Sequence, residues 1–190
     1  MSQDCTIVIF GATGNLAQLK LMPALYYLDE AGKLTSATRI QACGRRNWSS
    51  ESLRDTARAW VAQKSAGEID EQVMQRFCSR LEYFNGDLDQ PDTYGRLATL
   101  VGERGYNNIA FYMAIKPQDF GAAVDQLSAN GLLEESQGWR RVVIEKPFGY
   151  DLKSARRLQE HVARCLQEQQ VFRIDHYLAK GMVQNVLVFR

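Results

Sequence analysis

Histidine is nearly missing from this sequence, and its cysteines never come in pairs. The 190 residues hold two histidines, His161 and His176, and four scattered cysteines, Cys5, Cys43, Cys78 and Cys165, without a C-x-x-C spacing. That leaves no pattern for a zinc site or a disulfide framework, and the cysteines read as free thiols of a reducing compartment. Charge of one sign is lacking too. The 23 basic and 22 acidic residues leave a formal net charge of +1, which offers no face for nucleic acid or a membrane surface. No apolar run approaches the roughly 18 residues of a membrane span. The start, "MSQDCTIVIF", has neither the basic opening nor the cleavage site of a signal peptide. The expectation is a soluble, cytoplasmic protein with no metal, nucleic-acid or membrane partner.

What is present is ordinary globular material, 45% hydrophobic and 24% charged. The length suits one domain, or one domain and the beginning of another. Short β-rich runs alternate with longer helical patterns. "CTIVIF" (5–10), "RIQACG" (39–44), "LEYFNGDL" (81–88), "NIAFYMAI" (108–115), "RRVVIEKPFG" (140–149) and "QVFRIDHYL" (170–178) read as strands. The first is apolar without alternation, as in a strand buried on both faces. Helical patterns occupy 16–31, 50–64, 70–80, 92–103 and 118–129, and a last one follows Asp151 with an apolar stripe at 152, 155, 158, 162 and 166. Ser49 or Ser50 is a fitting N-cap for the second helix. Pro23 falls inside the first helical pattern, which predicts a short first turn and a helix restarting at the proline. Alternation of this kind predicts an α/β fold: a doubly wound, mostly parallel, Rossmann-like sheet.

After the first strand, Gly11, Gly14 and Ala17 form a G-x-x-G-x-x-A pattern that opens a helix. Such a loop can cradle a dinucleotide pyrophosphate, because it permits a tight turn, a close backbone approach and close packing of helix on strand. The same spacing also occurs as plain turn punctuation. Its position at the start of a βαβ unit favours the cradle. The second strand ends "ACGRRNW", with Arg45 and Arg46 where an NAD site places an acid. Two guanidiniums suit a ribose 2′-phosphate, hence NADP, against the plainer reading of two solvated arginines.

Ligands of open α/β sheets bind outside the carboxyl ends of the strands. Besides the glycines and arginines, the strand near 110 ends "AIKP", the next "EKP" and the last "DHYLAK". Lys146 stands just past a buried strand before Pro147, whose peptide bond is a candidate for the cis form. It can meet a substrate hydroxyl, or simply pair with Glu145. Asp175, His176, Tyr177 and Lys180 fall within six residues. Together they could hold a phosphate, with Asp175 orienting a base; a lone strand-end histidine is otherwise a structural hydrogen-bonder. His161, on the polar side of its helix, reads as inert.

Three blocks, "FGATGNLAQLKLMPALYYL", "VVIEKPFG" and "FRIDHYLAKGMVQN", resemble in order and spacing the glucose-6-phosphate dehydrogenase family, from residue 7 to the end. The resemblance implies NADP-dependent oxidation of glucose 6-phosphate at C1 to the lactone, the entry step of the pentose phosphate pathway. It implies a cofactor site of Gly11, Thr13, Gly14, Asn15, Leu16, Lys20, Arg45, Arg46, Met113 and Lys146. Substrate would be held by Lys146, His176, Tyr177 and Lys180, with Lys146 near the chemistry and Asp175 orienting the catalytic histidine. In the family that base lies downstream, in a sheet-rich α+β domain that also carries the homo-oligomer interface. The resemblance thus divides the chain into an NADP-binding domain, 1–178, and the start of that second domain, 179–190, the remainder of which is absent. The chain alone is expected to be nearly inactive; the alternative is an NADP-binding fragment or regulatory module. Asn15 in place of the usual Asp, Ala179 and Gly181 in "LAKG", and Lys116-Pro117 depart from the family pattern.

Overall fold

A computed structural model describes residues 4–65, 67–149 and 151–174. Six strands, β1 (Thr6–Phe10), β2 (Arg39–Gly44), β3 (Leu81–Asn85), β4 (Ile109–Met113), β5 (Arg140–Glu145) and β6 (Val171–Ile174), form one sheet. All pairings are parallel, in the order β3-β2-β1-β4-β5-β6. Six helices connect or flank them: α1 (Met22–Glu30), α2 (Ser50–Lys64), α3 (Glu71–Ser79), α4 (Pro91–Glu103), α5 (Phe120–Ala129) and α6 (Leu152–Cys165). The chain leaves β1 toward β2 on one side and β4 pairs on the other, so the strand order reverses between β1 and β4. In a doubly wound sheet that reversal opens a crevice at the carboxyl edge.

The apolar runs are unbroken because β1 is covered twice. Val8 and Phe10 pack with Leu97 of α4, Val124 of α5 and Val162 of α6. Ile9, pointing the other way, packs with Met22 and Tyr26 of α1, Leu53 of α2 and Phe77 of α3. Successive strand residues alternate faces, so each face needs its own apolar set.

Local signals account for most boundaries. Ser49 caps α2, its hydroxyl accepting the Ser52 N–H at 3.1 Å, while Ser50 accepts the Tyr83 N–H at 2.9 Å instead. Asp151 caps α6 in a reciprocal box with Ser154. Pro23 does not interrupt the first helix. A widened π-type turn, Ala17–Leu21, leads into α1 one residue before the proline, with the Met22 N–H bonded to the Ala17 carbonyl. Pro23 then falls in the first turn, where its missing donor costs little. Two expectations need correction. The stripe of α6 turns inward only from its middle, for Leu152 is 68% exposed while Val162 is 3% exposed. Strands β3, β4 and β5 end two to four residues early, because their last residues leave the ladder at the carboxyl edge.

All four cysteines are free thiols. Burial drives the Cys43 thiol far above its usual range. No helix among the described residues is long and apolar enough to cross a membrane.

Candidate dinucleotide site

Gly11 leaves β1 at φ +75°, and a Cβ there would lie 2.3 Å from the Ala114 carbonyl oxygen of the neighbouring β4 end. Both the turn and the close approach require glycine. The loop then closes on itself through the Gly14 N–H to the Gly11 carbonyl at 2.9 Å. Ala12 ties it to β2, donating to the Cys43 carbonyl at 3.0 Å. Gly14 differs in kind: a Cβ there would meet only Gly11 O, at 3.2 Å. Its bare face opens on the cleft. Ala17, fully buried, allows helix and sheet to pack closely.

That cleft, about 730 Å³, opens where the strand order reverses. It is lined by Gly11, Thr13, Gly14, Asn15 and Arg45, by Asp87 to Asp89 after β3, and by Ala114 to Lys116, Gln118 and Asp119 after β4. The glycine loop and the first strand-two arginine thus share one space. The two arginines separate: Arg45 lines the cleft, whereas Arg46 is not among its lining residues and lies over the Trp48 ring at 5.1 Å. Leu16 is half-buried at the helix start, and Lys20 is exposed in the π-type turn, away from the lining. The Met113 side chain is fully buried in the core beside Phe10, its partner in the ladder, because its place in the alternation points it into the sheet face covered by α4 and α5.

At the next strand end, the Lys146-Pro147 bond is cis. Glu145, 6% exposed, accepts a hydrogen bond from the Tyr112 hydroxyl. Burial, and then this bond to Glu145, push the phenol well above its ordinary range, so it remains the donor. Lys146 is exposed and outside the cleft lining. His161 Nε2 lies 2.8 Å from Asp125 Oδ1, a polar contact between α6 and α5. Asp175, His176, Tyr177 and Lys180 fall outside the described residues, as do Ala179 and Gly181.

Sequence reasoning missed Asp87, Leu88 and Asp89. The signal was available, since the carboxyl-edge argument applies equally to the weak third strand. A second groove, about 760 Å³, lies at the opposite end of the sheet among Asp29, Arg39, Arg76 and Arg80. Its guanidiniums are already engaged with Asp29 and with backbone carbonyls, which leaves a groove without a free cationic fork.

Gly11→Ala and Gly14→Ala should behave differently. The first forces a Cβ into backbone at positive φ and is expected to cost about 1–3 kcal/mol of stability. The second should leave thermal unfolding nearly unchanged yet weaken dinucleotide binding, because its methyl group enters the cleft. Thermal melts alongside calorimetry separate the two.

A parallel sheet in this order, with a glycine loop at its reversal point, defines a Rossmann-type dinucleotide-binding domain. Residues 8–185 match the family described as "Glucose-6-phosphate dehydrogenase, NAD binding domain", and the chain belongs to that family. It is 42% identical over 191 residues to the glucose-6-phosphate 1-dehydrogenase of Mycolicibacterium smegmatis, covering 98% of this chain and 38% of that protein. With the Bacillus subtilis enzyme of the same name it shares 40% over 189 residues, covering 97% and 37%. A solved glucose-6-phosphate dehydrogenase in complex with its substrate, glucose 6-phosphate, superposes with a TM-score of 0.87 at 36% identity. The match covers all of this chain and 41% of that one. The chain therefore spans about two-fifths of the length of these relatives.

Proposed function

We propose that this chain forms the cofactor-binding half of an NADP-dependent glucose-6-phosphate dehydrogenase of the cytoplasm. One observation carries the reading: Gly11, Gly14 and Arg45 line the same cleft at the strand reversal. The residues fit the cofactor. Gly14 leaves room for a pyrophosphate beside the loop, and the Arg45 guanidinium supplies a permanent charge for a 2′-phosphate. Thr13 and Asn15 add polar side chains to the same wall. NADP supplies the hydride acceptor when bound; the protein's part is to hold and orient it.

Lys146, just past β5, would serve the sugar near the nicotinamide, and Asp175, His176, Tyr177 and Lys180 the phosphate side. Their order in the sequence, at the ends of β5 and β6, supports this assignment, as does the family of the chain. The boundary near residue 178, and homo-oligomerisation through a further domain, belong to the same proposal. The length relation to the relatives supports a partial site here, with the base histidine in the part of the enzyme this chain does not match.

Two measurements test the reading. Calorimetry should show NADP⁺ binding to this chain, and absence of binding would overturn the cradle assignment. With glucose 6-phosphate and NADP⁺, NADPH formation should fall below that of the full-length relatives by roughly 10²–10⁴-fold, the usual contribution of a general base. Turnover at the relatives' rate would show that the base resides in this chain.

A further inference from the structure

The segment carrying Arg45 has no secondary structure of its own, yet it is tied down from outside. Its hydrogen bonds from outside come from β3 and the residue after it, and Trp48 packs on Trp60 of α2 with ring centroids 6.3 Å apart. The Tyr83 hydroxyl donates to the Arg46 carbonyl at 2.8 Å, and Asn85 Nδ2 donates to the same carbonyl at 2.6 Å. Asn85 Nδ2 also reaches the Arg45 carbonyl at 3.5 Å. The Gly86 N–H fixes the beginning of the segment through the Gly44 carbonyl at 3.0 Å. Above these bonds, Trp48 leans on the Tyr83 ring with centroids 5.9 Å apart, and Arg46 covers Trp48. The second arginine is thereby drawn back over the aromatic pair, and Arg45 is left toward the cleft.

Tyr83 also couples this segment to the glycine loop. A Cβ at Gly44 would lie 2.9 Å from both the Tyr83 hydroxyl and Thr13 Cγ2, so loop, strand end and phenol meet over one glycine. Burial raises the Tyr83 hydroxyl above its ordinary range, keeping it a donor. Neither Tyr83 nor Asn85 lines the cleft, so neither is placed to touch the dinucleotide.

We infer that Tyr83 and Asn85 are positioning residues for cofactor choice: by holding the Arg45 and Arg46 carbonyls they aim the Arg45 guanidinium at a ribose 2′-phosphate. The inference rests on the proposed role of Arg45. The Arg46 carbonyl also accepts the Trp48 N–H at 2.8 Å; the two side-chain donors fix that local turn against β3, and a guanidinium reads a phosphate well only when its fork is aimed. Released, Arg45 keeps its charge but loses its direction.

The test is calorimetry of the full 190-residue chain with NADP⁺ and with NAD⁺, for Tyr83→Phe, Asn85→Ala, Arg45→Ala and Arg45→Ala/Asn85→Ala. Tyr83→Phe keeps the ring against Trp48 and removes only the hydroxyl, which guards against a folding defect. Each β3 variant should lower the ratio of NADP⁺ to NAD⁺ affinity about three- to tenfold, the worth of one ordinary hydrogen bond, with NAD⁺ affinity within about twofold. A merely structural role would weaken both dinucleotides alike and leave the ratio unchanged, and that result overturns the inference. In the Arg45→Ala background, Asn85→Ala should lower the ratio no further; an undiminished drop would mean that Asn85 acts without Arg45. If Arg45→Ala alone leaves the ratio unchanged, the 2′-phosphate reading itself fails, whatever the β3 variants do.

Discussion

Asp29→Ala should lower the melting temperature by about 6–20 °C. The chain places Asp29, 1% exposed, at the end of α1, against Arg80, 4% exposed, between α3 and β3. Arg80 Nε and Nη2 hold the two carboxylate oxygens at 3.1 and 2.9 Å, a bidentate pair. Its Nη1 meanwhile binds the Thr35 and Thr38 carbonyls before β2 at 2.6 and 3.0 Å. One guanidinium therefore pins α1, α3 and the entrance to β2 together. Removing the carboxylate leaves a buried cation without its counter-charge, which typically costs about 3–5 kcal/mol. For a domain of this size each kcal/mol moves the melting temperature by roughly 2–4 °C, whence the range.

Arg76 is a control built into the same cluster. It contacts Asp29 at 3.1 Å from a side chain that is 47% exposed, so Arg76→Ala should cost about 1 kcal/mol or less. Replacing both buried partners with apolar residues should recover only part of the loss, since the Thr35 and Thr38 carbonyls would then lack their donor. Thermal melts of the single and double variants check this. An Asp29→Ala protein that melts within about 2 °C of the parent would show that water or Arg76 compensates the charge.

The molecule's two ends differ in how far the sequence exposes them. At the carboxyl edge the chemistry sits on short local patterns. Gly11, Gly14 and Ala17 follow a buried strand, and Arg45 follows another, so periodicity and strand-end logic reach them without coordinates. Asp87 to Asp89 are reachable by the same logic, but reading the third strand as 81–88 places Asp87 and Leu88 within it, whereas β3 ends at Asn85. The cofactor role of Met113 is implied by resemblance alone, and alternation along β4 turns its side chain into the core. The Asp29–Arg80 pair was beyond reach for another reason. Its partners are 51 residues apart, and nothing local marks either as buried, because charged residues default to the surface. The separate fates of Arg45 and Arg46 were likewise hidden, since the bonds that divide them come from Tyr83 and Asn85, about 40 positions later.

Arg45→Ala should weaken NADP⁺ binding by roughly 10- to 150-fold, corresponding to the ~1.5–3 kcal/mol of hydrogen bonding to a charged group. NAD⁺ affinity should change by about twofold or less, because NAD⁺ lacks the phosphate that the guanidinium is proposed to read. Arg46→Ala should be the milder change, for its guanidinium lies over Trp48 rather than in the cleft. Arg45→Lys should recover part of the loss, retaining the charge but not the planar fork. Salt provides an independent check. Arg45 is exposed, so its attraction to the phosphate is screened as ionic strength rises, and the NADP⁺ preference of the parent should shrink at high salt while that of Arg45→Ala stays flat. Calorimetric titrations at two ionic strengths measure both. Equal losses for NADP⁺ and NAD⁺ would assign Arg45 to the pyrophosphate or the ribose instead, and an unchanged NADP⁺ affinity would remove it from the site.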